Sequence, residues 1–183
     1  MAVTANVLLG IGGGIAAYKL AYVASRLVQQ GCVVRAALTP HATEYVGART
    51  FEGLCGQKAI LSSTQVDPDG SVPHIAAAHV AQVYVIAPAT ADLLSRIAAG
   101  AAADPVALLA LTCRCPILMC PAMNDAMWLS RGVQDNVARL RARGVHILGP
   151  VSGHLAEGYD AIGRMVEPDA IVARALQLAA GQP

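Results

Sequence analysis

The chain has 183 residues, 13 basic and 12 acidic side chains and a formal net charge of +1, a length that suits one domain over residues 1–183. Hydrophobic residues make up 55% and charged residues 14%, the reverse of a disordered chain, and the near-neutral balance leaves no footprint for nucleic acid or an anionic membrane surface. Mean hydropathy is +0.50, but the richest stretch, His74 to Cys113, is broken by Asp92, Arg96, Asp104 and two prolines, short of the ~18 uninterrupted apolar residues of a membrane span.

Short apolar runs alternate with helical patterns. Asn6–Leu9 reads as a buried strand, Gly10–Gly14 as a turn, and Ile15–Gln30 as a helix closed by Gly31. Cys32–Leu38 is a second strand, and Thr39-Pro40 is a helix start with proline at the first position. Ser62–Pro73 is a polar loop, and His74 opens an Ala-rich helix after it. Val83–Ala87 is a strand ending at Pro88, and Ala98–Ala103 is a tightly packed helix end. Ile117–Cys120 is a strand ending at Pro121, and Val145–Leu148 one ending at Gly149-Pro150. Gln134–Arg143 and Asp169–Ala180 read as helices. Strands apolar on both faces, separated by helices, mean an α/β doubly wound parallel sheet, Rossmann-like or flavodoxin-like, with helices on both faces.

In such a sheet a ligand sits beyond the carboxyl ends of the strands. That rule selects five rim segments: Gly10–Gly14, Thr39–His41, Pro88–Asp92, Pro121–Asp125 and Gly149–Gly153.

Each rim segment has its own chemistry. The glycines let backbone N–H groups at a helix start approach a phosphate. The dinucleotide fingerprint is not met, because Ile15 holds the third glycine's place and the second strand ends in Leu38-Thr39 rather than an acid. The Walker pattern fails because Lys19 is not followed by Ser or Thr. A mononucleotide with one terminal phosphate fits better. Thr90 is a helix N-cap, and Asn124 offers donor and acceptor to a carboxylate or amide. His74 can act as a base near neutral pH. His41, His79, His146 and His154 lack comparable context.

Five cysteines, an odd number, argue against a disulfide framework and for a reducing, cytoplasmic compartment. The close pair Cys113 and Cys115 has no second pair at zinc spacing, so no metal site is expected. The stretch Met1–Asn6 lacks the basic region of a signal peptide. The apolar excess predicts burial between subunits.

Six pieces carry a resemblance: GIGGGIAAYK (10–19), LTPHATEYV (38–46), PHI (73–75), IAPATADLLSRIAAGAAAD (86–104), PAMNDAMW (121–128) and GHLAEGYDAIGRMVEP (153–168). In this order they resemble the homo-oligomeric flavin-containing cysteine decarboxylases, over nearly the whole chain. The likeness within that family is greatest to the branch that converts 4′-phosphopantothenoylcysteine to 4′-phosphopantetheine for coenzyme A.

The resemblance implies FMN between subunits of a homotrimer, with trimers sometimes assembled into a dodecamer. It implies that Gly12, Gly13, Gly14, Ile15 and Thr39 hold the phosphate end, and that Pro88, Ala89, Thr90 and Ala91 line the flavin. His74 and Asn124 would be catalytic, the histidine reaching a flavin held by a neighbouring subunit. Ala122, Met123 and Asn124 would bind the substrate carboxylate. A lid from Gly153 to Met165, including Glu157, Arg164 and Met165, would cover it. Withdrawing two electrons from the cysteinyl unit creates a thioaldehyde-like centre that accepts the electrons released with CO2, leaving an ene-thiolate.

One position departs from the family. The coenzyme A branch usually carries Ala-Cys-Gly in the lid, where the thiol helps reduce the ene-thiol; this chain has Ala156-Glu157-Gly158. With an ordinary pKa of ~4.3, a carboxyl is a poor proton donor at neutral pH. The departure favours the alternative, oxidative decarboxylation of a peptide's C-terminal cysteine, and a second alternative is a non-catalytic FMN-binding subunit. Cys120, four residues before Asn124, is a conceivable substitute thiol.

Overall fold

A computed structural model describes residues 5–181. Met1 to Thr4, part of the stretch read for a signal peptide, lie outside them. Five parallel strands run β1 (Asn6–Ile11), β2 (Val33–Leu38), β3 (Val83–Ala89), β4 (Ile117–Pro121) and β5 (His146–Ile147), in the spatial order β2-β1-β3-β4-β5. Four of them are mostly or wholly buried, as two-sided apolar patterning requires.

Helices cover both faces. On one lie α1 (Lys19–Gln29), α2 (Ala48–Cys55) and α8 (Pro168–Ala179), which contribute Leu20, Phe51 and Ile171 to one core. The other core holds residues of α3 (Pro73–Val80), α4 (Ala91–Ala99), α5 (Pro105–Thr112) and α7 (Arg131–Ala142) around Tyr84 and Met119. A short helix α6 (Asp125–Leu129) follows β4, and an antiparallel hairpin, β6 (Val151–His154) with β7 (Asp160–Arg164), stands apart from the main sheet.

Helix starts follow local chemistry. The Thr90 hydroxyl accepts from the Leu93 N–H at 3.3 Å, and the buried Asp104 carboxylate accepts from the N–H groups of Val106 and Ala107 at 2.8 and 3.0 Å. Each cap is worth ~1 kcal/mol. Asp104 also pairs with Arg96, which reaches Asp92 as well.

Several boundaries differ from expectation. Gly10 belongs to β1 rather than to a turn: it pairs with Ala37 and Ile86, and a Cβ there would stand 2.4 Å from the Tyr84 hydroxyl. Space, not chain reversal, calls for this glycine. The helix after the glycines opens with a 3-10 turn, Ile15–Tyr18, before α1. Thr39-Pro40 starts only a 3-10 turn, His41–Glu44, with the Thr39 hydroxyl accepting from the Ala42 N–H at 3.1 Å. Pro88 and Pro121 lie inside the last residues of their strands.

Candidate active site

The sheet order changes direction at β1 and β3, whose carboxyl ends open a crevice between the loops that follow. A cavity of about 730 Å³ lies there. Four of the five rim segments reach it, through Gly13 and Gly14, Thr39 and His41, Thr90 to Asp92, and Ala122 to Asn124. The fifth, Gly149–Gly153, does not; it leads into β6, and the hairpin beyond it supplies Glu157, Arg164 and Met165 to the wall.

The glycines form a cradle that side chains would fill. A Cβ at Gly12 would lie 2.1 Å from the Pro88 carbonyl oxygen, and one at Gly13 2.4 Å from the His41 Cβ. Gly12, Pro88 and Ala89 are buried behind the wall and do not line the cavity. Of the predicted cofactor residues, Gly13, Gly14, Ile15, Thr39, Thr90 and Ala91 do.

Asn124 is held in one orientation. Its Oδ1 accepts from the Ala126 N–H at 2.9 Å, capping α6. A backbone N–H only donates, so the amide cannot flip, and Nδ2 must face the hairpin. It donates to Glu157 Oε1 at 3.1 Å and to the Tyr159 hydroxyl at 2.9 Å. Tyr159 in turn donates to Asp125 Oδ1 at 2.7 Å. That bond to the carboxylate, foremost, pushes the tyrosine pKa up.

Backbone contacts clamp the hairpin down. The Met123 N–H donates to the Gly163 carbonyl at 3.0 Å. Gly163 has φ +140°, and a Cβ there would lie 2.2 Å from the Met123 carbonyl oxygen. Leu155 and Met165 are buried, anchoring both arms. Arg164 and Lys19 share the Glu167 carboxylate, Lys19 at 3.4 Å. Two cations against one carboxylate leave this end of the cavity positive.

His74 does not line the cavity. It sits in the first turn of α3, and its Nδ1 is buried without a hydrogen-bond partner in this chain. Cys120 is no substitute thiol. It is fully buried in the first core and outside the cavity, and burial pushes its pKa up to about 12. No cysteine is among the residues that line the cavity. Among the described residues no group of His, Cys, Asp and Glu could hold a metal ion.

Sequence reasoning missed Tyr18, Lys19 and Arg96, which reach the cavity from helical turns, and left His41 and His154, which also line it, without a role. The rim rule looks at strand ends and cannot see a side chain one helical turn further on.

A family model described as Flavoprotein matches residues 1–180. The coenzyme A biosynthesis bifunctional protein CoaBC of Mycobacterium bovis is 43% identical over 166 residues, covering 91% of this chain and 39% of that protein. Its counterpart in Vibrio parahaemolyticus is 39% identical over 169 residues, 91% of this chain and 42% of that protein. The chain thus spans about two fifths of the length of the curated relatives it matches. Among solved structures, the FMN-dependent cysteine decarboxylase SpaF superposes with a TM-score of 0.82 at 30% identity, covering 96% of this chain and 97% of that one. A PPC decarboxylase mutant complexed with pantothenoylaminoethenethiol superposes with a TM-score of 0.81 at 25% identity, covering 93% and 95%.

Proposed function

The chain belongs to the Flavoprotein family, and on that premise we propose that it is an FMN-dependent decarboxylase of a cysteine-derived carboxylate. The observation that carries this reading is the amide of Asn124, fixed by Ala126 and aimed under the hairpin into the same cavity that the glycine cradle opens on.

The residues present suit FMN. Gly12 and Gly13 leave no room for side chains, bringing backbone close to a phosphate. Gly13, Gly14, Ile15 and Thr39 would hold that end, and Thr90 and Ala91 would face the ring. FMN, when bound, supplies an acceptor for two electrons, which a plain cysteine carboxylate lacks. Asn124 Nδ2 orients the substrate carboxylate, with Ala122 and Met123 beside it. The hairpin excludes water from the reacting carbon. His74 takes a proton from the substrate at the ring nitrogen other than the buried Nδ1, in the site of an adjoining copy of the chain. Its absence from this chain's own cavity supports that placement. So do the exposed Ile15, Tyr18 and Ile75, at 66%, 63% and 52%, which a homotrimer, alone or within a dodecamer, would cover.

The substrate in this reading is 4′-phosphopantothenoylcysteine, converted to 4′-phosphopantetheine. The matched CoaBC proteins and the ligand of the PPC decarboxylase neighbour support it. The peptide alternative rests on Glu157, which stands where a lid thiol would return reducing equivalents, in a cavity that no cysteine lines. Five free thiols suit the cytoplasm; among the described residues no helix is long and apolar enough to cross a membrane.

Incubation of FMN-loaded protein with 4′-phosphopantothenoylcysteine, followed by mass spectrometry, tests the proposal. A product lighter by CO2 alone means the full cycle. Loss of two further hydrogens means an ene-thiol product and points to the peptide-type reaction. Unchanged substrate contradicts decarboxylation of this compound.

A further inference from the structure

We infer that Glu157 is a built-in occupant of the substrate-carboxylate site, a carboxylate carried by the hairpin that holds the Asn124 amide until a substrate carboxylate displaces it. The inference rests on the proposed role of Asn124 and goes beyond it in giving Glu157 the role of competitor rather than substrate contact.

The hydrogen-bond inventory of Asn124 carries the argument. A primary amide has two N–H donors and one carbonyl. Oδ1 is taken by Ala126, and Nδ2 donates to Glu157 and Tyr159. A substrate carboxylate gains the amide only by replacing one of these two acceptors. Tyr159 is tied at its other side to Asp125 at 2.7 Å. Glu157 has one bond to give up, and it lies exposed at the apex of a tight turn. That turn is closed without it, by Leu155 N–H to the Tyr159 carbonyl at 2.9 Å and Gly158 N–H to the Leu155 carbonyl at 3.0 Å. The Glu157 side chain can therefore swing into water while the turn stays intact. Two carboxylates on one amide repel, so the exchange is one for the other.

The exchange also has a direction after the reaction. Decarboxylation removes the group that displaced Glu157. The amide is then free to take the glutamate back, which closes the hairpin's own contact and helps expel the product. No bond is made or broken in this step. The hairpin thereby discriminates between acid substrate and decarboxylated product by the presence of one carboxylate.

Two probes without an oxidisable thiol separate this from general lid effects. N-acetylserine carries the carboxylate, and N-acetylethanolamine lacks it. Both are titrated into FMN-loaded wild type, Glu157→Ala and Glu157→Gln, with the fluorescence of Trp128, the one tryptophan, as readout. The Trp128 backbone N–H donates to the Asn124 backbone carbonyl at 3.0 Å, which places the residue one helical turn from the exchange. Glu157→Ala is expected to bind N-acetylserine about tenfold more tightly than wild type, with N-acetylethanolamine unchanged. Glu157→Gln, an uncharged acceptor, is expected to fall between. Equal or weaker binding of N-acetylserine by Glu157→Ala overturns the inference, whatever the wild type's activity. Equal gains for both probes overturn it too, because the carboxylate is then irrelevant. Failure of the underlying reading is seen separately, as no CO2 release from any cysteine substrate by the wild type.

Discussion

Gly12 lies so close to Pro88 that a Cβ on residue 12 would stand 2.1 Å from the proline's carbonyl oxygen. The contact joins the loop after β1 to the carboxyl end of β3, and these two strands flank the crevice. Backbone on the other side cannot rotate away as a side chain could. Gly12→Ala is therefore expected to push the glycine loop out of place, with a stability loss of about 1–3 kcal/mol. A urea melt measures the first effect. A flavin fluorescence titration measures the second, a weakened hold on FMN. Unchanged FMN affinity would show that the loop does not form the cradle.

Asn124→Asp separates capping from chemistry. The new carboxylate still caps α6 and suits a helix N-terminus, so thermal stability is expected to hold. It replaces the donor Nδ2 with an acceptor facing Glu157. Catalytic efficiency is expected to fall about 100-fold, the loss of a charge-assisted hydrogen bond of ~3 kcal/mol. Steady-state CO2 release and a melting curve on the same preparation check both halves.

His74→Asn is expected to abolish CO2 release while FMN stays bound. Mixing it with Asn124→Asp through unfolding and refolding tests whether sites are shared. If His74 serves an adjoining copy's cavity, about a quarter of the sites in a randomly mixed ring regain both groups. Recovery of activity on that scale supports the shared site; no recovery places both groups in one chain or removes His74 from the mechanism.

Asp104 carries two cap bonds and an ion pair from a nearly fully buried position. Asp104→Ala leaves Arg96 short of a partner and frees two N–H groups, for an expected loss of ~3–5 kcal/mol in chemical denaturation. Asp104→Asn keeps the capping oxygen and is expected to lose less.

The cysteines should differ sharply in reactivity. A hydrogen bond with Cys113 holds the Cys115 thiol below its ordinary value, and the same contact pushes Cys113 up. Burial pushes Cys55 up to about 11 and Cys120 up to about 12. At pH 8 a thiol at about 12 is thiolate in only about one molecule in 10⁴. Iodoacetamide is expected to label Cys115 first and Cys120 last, as peptide mapping would show. Cys55 and Cys120 keep protons that the unfolded chain releases above pH 9, so stability is expected to fall as pH rises from about 9 to about 12.

The strands were legible because burial on both faces leaves an unbroken apolar run, as in Val83 to Ala87. The hairpin was not legible from patterning. Val151–His154 is mostly exposed and Asp160–Arg164 only partly buried, and backbone contacts with Met123 hold them, which no hydrophobic period records. Only the resemblance placed a lid at Gly153–Met165. Helix α5 escaped notice because it is apolar on nearly all sides, so no stripe marks it. Strand-end residues such as Thr39 and Asn124 could be read as rim groups from position alone. Lys19 and Arg96 could not, since they arrive from within helices, and neither could the committed state of the Asn124 amide, which depends on where Glu157 and Tyr159 come to rest.

Trapping of CO2 from carboxyl-¹³C-labelled cysteine substrate tests the account most directly. FMN-loaded protein is expected to release labelled CO2 in proportion to substrate consumed, and protein stripped of FMN to release none. Label that stays in the acid, with FMN bound and both the phosphopantothenoyl and the peptidyl substrates supplied, would contradict it.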